Sequence, residues 1–151
     1  MSNRKLSASC VVIKDNKVLL VKHTYGAAKG KYLIPGGFSE ENEMPQKTAE
    51  REVLEETSVS VKANDLIAVR FTLQEVWCIF SADYLCGVPA SDSIENNDAI
   101  FMSIDEALCS DEIVDTTKQI LRVMLKSDKS MLVKSDFVNS KFDSETWQLF
   151  I

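Results

Sequence analysis

The sequence predicts a mixed α/β fold in a single compact unit, and three observations carry that expectation. Two β-rich runs near the N-terminus are split by a tight polar reversal, a glutamate-rich helix follows a Pro-Gly-Gly break, and further strand runs lead into helical spacing near residue 126. The chain has 151 residues, 45% hydrophobic and 26% charged, which suits one soluble domain with its own core. No internal repeat or linker divides it before Ser127.

Leu6 to Ile13 and Val18 to His23 are β-rich, and Lys14-Asp15-Asn16-Lys17 between them favours a hairpin reversal. Thr24 to Lys31 holds Gly26, Gly30 and two lysines just after Lys22 and His23, so it is a loop. It either contacts substrate phosphates through Lys22 and His23 or is a solvated connector. Tyr32 to Ile34 form a short strand stopped by Pro35, and Gly36-Gly37 let the backbone turn sharply.

The next element is a helix from about Pro45 to Thr57. Glu52 and Glu56 are four residues apart, and Glu52 and Glu55 three, so the three carboxylates share one side. Ala49 and Val53, with Leu54 beside them, give the opposite side something to bury. Like charges at this spacing cost only about 0.2–0.5 kcal/mol per exposed pair, so a solvated acidic face is the bland alternative to a reactive one.

Val59 to Val61, Leu66 to Leu73 and Val76 to Leu85 read as strands, Gly87 to Asn97 as a long loop, and Ala99 to Ser103 as a last short strand. A short helix starts at Ser103 and runs to Leu108. Ser110 is placed to cap a longer helix whose Ile113, Thr117, Ile120, Leu121 and Met124 keep helical spacing to about Lys126.

Composition excludes several classes. A net charge of −6 argues against a surface for extended nucleic acid, which needs a basic patch. No apolar run approaches the roughly 18 residues of a membrane span, and no h-region precedes Cys10, so a cytoplasmic location is expected. The four cysteines are widely spaced, three of them in apolar stretches, which fits buried reduced thiols better than disulfides or zinc. His23 is the single histidine, and no partner pattern makes it part of a triad.

The order Gly37, five residues, Glu43, seven residues, Arg51-Glu52-Val53, one residue, Glu55-Glu56, one residue, Ser58-Val59 resembles the Nudix box. Two positions depart from it: Ser58 replaces the closing glycine, and Asn42 stands where many members have glycine. The resemblance runs from the KGKYLIPGG lead-in to IENNDAIFMSIDEAL, and so covers most of the chain to about Lys126. It implies a Nudix α/β/α sandwich with a mixed central sheet over residues 1–126. Residues 127–151 are then a tail, packed on the same domain or on a partner subunit of a homodimer.

What the resemblance implies for chemistry is a pyrophosphohydrolase that uses Mg2+ (or Mn2+) and water to break a phosphoanhydride bond. The substrate is a small nucleotide: a nucleoside diphosphate linked to another moiety, or a nucleoside triphosphate. Glu52 and Glu56 are the implied main metal ligands, with the backbone of Gly36 and Gly37 approaching the metal site closely. Glu55 is a further ligand or the general base, and Glu95 on the later loop, with Asp98 near it, is the rival base. Arg51 orients a neighbouring glutamate and Glu43 supports the set. Trp77, Phe38 or Tyr32 is available to stack a base. The substrate stays open, because Gln74-Glu75 and Val76-Trp77 occupy the positions of the ADP-ribose proline and the dinucleoside-polyphosphate tyrosine. The rival expectation is a nucleotide-sensing or regulatory module without turnover, which has no need of Arg51-Glu52 and Glu55-Glu56.

Overall fold

The computed structural model of the chain describes residues 4–126 and Leu132. In order, its elements are β1 (Lys5–Lys14), β2 (Lys17–His23), β3 (Tyr32–Leu33), β4 (Gly36–Phe38), α1 (Pro45–Thr57), β5 (Ser60–Phe71), β6 (Glu75–Cys86), β7 (Asn96–Ser103), α2 (Ile104–Cys109) and α3 (Asp115–Leu125). The expected tail 127–151 lies outside the described residues except for Leu132, which forms an antiparallel bridge with Leu66.

Asp15 and Asn16 both adopt positive φ, 49° and 57°, and pair Lys14 with Lys17 and Ile13 with Val18 in the two-residue turn that suits strand twist. The sheet runs β3-β2-β1-β6-β5, with β4 also paired to β1 and β7 to β2. Its β1–β6 pairing is parallel and the others are antiparallel, so the sheet is mixed.

Alternation along β1 decides the layers. Ala8, Cys10 and Val12 point to one face, where Ala49 and Val53 of α1 bury against them with Phe80 and Val61. Val11 points to the other, where Ile120 and Leu121 of α3 cover Ile79, Val18 and Leu20. This is the α/β/α sandwich. Ser7 and Ser9 share the face of Val11 but lie toward the start of β1, beyond the cover of α3, and that gap becomes the cleft described below.

Four expectations need correction. Residues 60–71 form one long strand interrupted by register shifts, because bulges let β5 follow β6 without ending it. Strand β7 begins at Asn96 rather than Ala99, since residues 96–98 pair with Lys22 and His23. Helix α3 begins at Asp115: Ser110 closes α2 by donating its N–H to Glu106 O, and residues 112–114 hydrogen-bond to Tyr32 as an extended segment. Leu54 is exposed and contributes nothing to the α1 core.

The serine in place of the box glycine does not move the end of α1. Ser58 takes the left-handed conformation itself (φ 61°, ψ 14°) and donates its N–H to Leu54 O, at a cost of about 1 kcal/mol relative to glycine. Asn42 is likewise left-handed, φ 63°, a conformation asparagine accepts more readily. Among the cysteines only Cys10 is buried; Cys78 is half-buried, while Cys86 and Cys109 are exposed. Among the described residues no helix is long and apolar enough to cross a membrane.

Candidate active site

The site is assembled where α1 passes behind β4. Gly36 and Gly37 have ordinary φ, so their role is close approach rather than a sharp turn. A Cβ on Gly36 would lie 1.9 Å from Ser9 Oγ, and one on Gly37 within 2.5–2.6 Å of the Glu52 carboxylate. A side chain at Gly37 would push the acidic face of α1 away from the strand, and one at Gly36 would drive β4 off β1.

Glu56 lies deepest, at 2% exposure. Its Oε2 accepts the Gly36 N–H at 3.4 Å, while Oε1 is buried without a hydrogen-bond partner. Burial first, and the Glu52 charge second, push its pKa up to about 9. Glu52 is also raised by burial, although Arg51 pulls it down. Two carboxylates held this way, one with an orphaned oxygen, fit a bound divalent cation: it would satisfy that oxygen and return both groups to their charged form. Among the described residues, however, no three His, Cys, Asp or Glu side chains are gathered as a ready-made metal cluster.

Arg51 fixes the rest of the acidic set. It binds Glu43 through two nitrogens, Nε to Oε1 at 2.8 Å and Nη2 to Oε2 at 3.0 Å. Its Nη1 reaches Glu52 Oε1 at 2.9 Å and Glu55 Oε2 at 3.2 Å, and Nη2 also donates to Phe38 O at 3.1 Å. Every face of the guanidinium is used, which is why arginine and not lysine suits the position. The Arg51 hydrogen bonds hold Glu43 down at about 2, aided by donation from Glu40 N and Thr48 Oγ1.

The cleft itself measures about 430 Å³, and its lining includes Gly36, Gly37 and Glu52 together with His23, Tyr25 and Glu95. His23 stacks on Tyr25 with ring centroids 5.2 Å apart, and burial lowers its pKa. The Tyr25 hydroxyl donates to Glu95 Oε2 at 3.5 Å.

The loop carrying Glu95 is firmly tied. Asp92 Oδ1 accepts the N–H groups of Ile94, Glu95 and Asn96. Thr24 N–H and Oγ1 both bond to Glu95 O. Asn96, fully buried, donates from Nδ2 to the Glu56 carbonyl at 3.0 Å and so ties this loop to α1. Within this polar segment the Asp92 side chain caps three successive N–H groups and so supplies local order.

The geometry coincides with a recognised sequence family, since the NUDIX domain model matches residues 3–124. The chain belongs to the Nudix family. A curated ADP-ribose pyrophosphatase of Methanocaldococcus jannaschii is 39% identical over 59 residues, 39% of this chain and 35% of that protein, so the match spans about a third of the relative's length. The crystal structure of a Nudix hydrolase from Nitrosomonas europaea superposes with a TM-score of 0.71 at 29% identity, covering 81% of this chain and 70% of that one. A bifunctional NMN adenylyltransferase/ADP ribose pyrophosphatase of Francisella tularensis, complexed with AMP and Mn ion, shares the fold at TM-score 0.69 and 17% identity, over 83% of this chain and 42% of its own.

Against this Nudix frame, the expected site residues divide. Glu52, Gly36, Gly37, His23, Trp77 and Glu95 line one cleft, and Glu56 lies buried behind Gly36. Glu55 is exposed, bound to Arg51, and outside the lining. Lys22, expected to face substrate, lies outside the cleft: it pairs with Tyr32 of β3, and its Nζ lies 3.6 Å from Glu112 and over the Tyr32 ring. Tyr32 is buried and donates its hydroxyl to Asp98, which withdraws both from the cleft. Sequence reasoning missed Ser7, Tyr25, Arg70, Glu75 and Asn96. Only Glu75 carried a local signal, as a charged residue opening an apolar strand.

Proposed function

We propose that the chain is a pyrophosphohydrolase which, with Mg2+ or Mn2+, breaks a phosphoanhydride bond in a nucleoside diphosphate linked to another group, of the ADP-ribose or nucleotide-sugar type. The observation that carries this reading is the buried Glu56 with its partnerless Oε1, set beside Glu52 on a two-glycine strand. The segment shared with an ADP-ribose pyrophosphatase supports the substrate type.

Glu52 and Glu56 would hold a divalent cation, which would supply charge neutralisation for the diphosphate oxygens. The chain's own residues do the remainder. Arg51 locks the orientation of Glu52, and Gly37 lets the Glu52 carboxylate pack directly on β4. Water attacks one phosphorus, the bond from that phosphorus to the bridging oxygen breaks, and the water's proton passes to a carboxylate. Glu95 is our choice for that base, since it lines the cleft together with Glu52, whereas Glu55 is engaged by Arg51 outside it.

The rival reading, a nucleotide sensor without turnover, gives no reason to bury an acid whose second oxygen has no partner. The test is product analysis over ADP-ribose, nucleotide sugars, dinucleotides and nucleoside triphosphates, with Mg2+ or with chelator. Cleavage of one class to a nucleoside monophosphate only with metal is expected. Tight binding of all classes without cleavage establishes the sensor.

A further inference from the structure

We propose that Phe38 and Trp77, separated by Ser7, form a slot that takes the nucleobase of the substrate. This rests on the reading of the chain as a hydrolase of nucleoside diphosphate derivatives, and it says which part of the cleft makes the substrate a nucleotide. The strand register carries it. Ser7 of β1 is paired with Phe38 of β4 on one side and with Trp77 of β6 on the other, so the three lie in one row and all three line the cleft. The outer two are two strand spacings apart, about 9.5 Å between backbones. Rings leaning across a serine bring a flat heterocycle within the roughly 4.5–7 Å centroid range of aromatic contact on both faces.

The Trp77 wall is held in place by its neighbours. Arg70, its partner in the row on β5, stacks on the indole at 4.6 Å and is ion-paired to Glu75 at 2.6 Å. Glu75 in turn accepts the Ser7 hydroxyl, and the indole Nε1–H donates to Ser9 Oγ at 2.9 Å. Arg70 and Ser9 are thus positioning residues, engaging one face and the polar edge of the indole. Phe38, half exposed and with the Lys5 ammonium 4.9 Å from its ring centroid, is the matching wall.

Length also fits. Phe38 directly follows Gly37, the residue packed on Glu52, and Gly36 is one residue further, about 3.3 Å along the strand. A base between Phe38 and Trp77 therefore directs its attached phosphates along β4 toward Glu52 and Glu56. Tyr32, the third aromatic available by sequence, is excluded by burial and by its bond to Asp98.

The experiment is calorimetric titration of the full chain, with Mg2+ throughout, by AMP, UMP and ribose 5-phosphate. Stacking is worth about 1–3 kcal/mol per base, so both nucleotides should bind about 5- to 150-fold more tightly than the sugar phosphate. Phe38→Ala should remove much of that advantage without changing the affinity for ribose 5-phosphate, and Phe38→Tyr should restore it. With Trp147→Phe leaving Trp77 as the single tryptophan, AMP should quench the emission and ribose 5-phosphate should not. Equal affinity for all three ligands, or an equal loss for all three in Phe38→Ala, overturns the slot even if the chain hydrolyses nucleoside diphosphates. Base-dependent binding without any metal-dependent hydrolysis upholds the slot and rejects the hydrolase reading.

Discussion

Replacing Glu56 with glutamine separates what the buried carboxyl does for chemistry from what it does to stability. The group is 2% exposed, and burial raises its pKa from 4.5 to about 9. Between those values the folded chain keeps a proton that the unfolded chain releases. The contribution is therefore fully present below about 4.5 and is lost progressively as pH rises to about 9. At pH 7 the loss covers about 2.5 pH units, or about 3 kcal/mol at about 1.4 kcal/mol per unit. Glutamine stays neutral, so Glu56→Gln should be more stable than the parent in metal-free buffer at pH 7 by up to about 3 kcal/mol, roughly 6–12 °C in Tm for a chain of this size. It should also lose the slope with pH. Added Mg2+ should then stabilise the parent and hardly affect the variant, whose turnover should be lower by at least about 100-fold. Circular-dichroism melts near pH 5, 7 and 9, with chelator or Mg2+, measure this. A variant that melts below the parent in chelator at pH 7 and keeps the parent's pH slope refutes the reasoning.

Ser58→Gly should stabilise the chain by about 0.5–1 kcal/mol, because φ 61° strains serine and not glycine; an unchanged denaturant midpoint contradicts this. Arg51→Ala should cost about 2–4 kcal/mol by leaving Glu43 and Glu52 without their shared cation. Glu43, held at about 2, contributes stability that is present above its ordinary value near 4.5 and lost as pH falls toward 2. That acid-side loss should therefore vanish in Arg51→Ala, as read by melts from pH 2 to 5. Glu95→Gln should slow turnover by about 10^2–10^4-fold and flatten the acid limb of the pH–rate profile, with Glu55→Gln far milder. The reverse ranking moves the base to α1.

The fold was legible wherever local chemistry and tertiary contacts agree. Asp15-Asn16 and Pro45 announced the hairpin and the start of α1, and both stand where the residues placed them. Of the residues the box order singled out, Glu52 lines the cleft and Glu56 lies buried behind Gly36. What failed depended on partners distant in sequence. Nothing local to Ser110 reveals that residues 112–114 will extend to pair with Tyr32, and Lys22 is drawn from the cleft its neighbour lines by Glu112 and the Tyr32 ring. Glu52, Glu55 and Glu56 share a helix side, yet their environments run from exposed to fully buried. The difference comes from β4 packing over one edge of α1, which helical periodicity does not encode. The row Phe38–Ser7–Trp77 needed the parallel β1–β6 register, a contact spanning 70 residues.

The central claim is that Glu52 and Glu56, backed by Gly36 and Gly37, hold the divalent cation that makes this cleft reactive. Anomalous diffraction from a crystal soaked in Mn2+ addresses it directly. The account predicts a peak within about 2.0–2.6 Å of carboxylate oxygens of both residues, the partnerless Glu56 Oε1 among them. Manganese bound elsewhere on the chain, with this cleft empty and the Glu56 carboxyl unchanged, contradicts it.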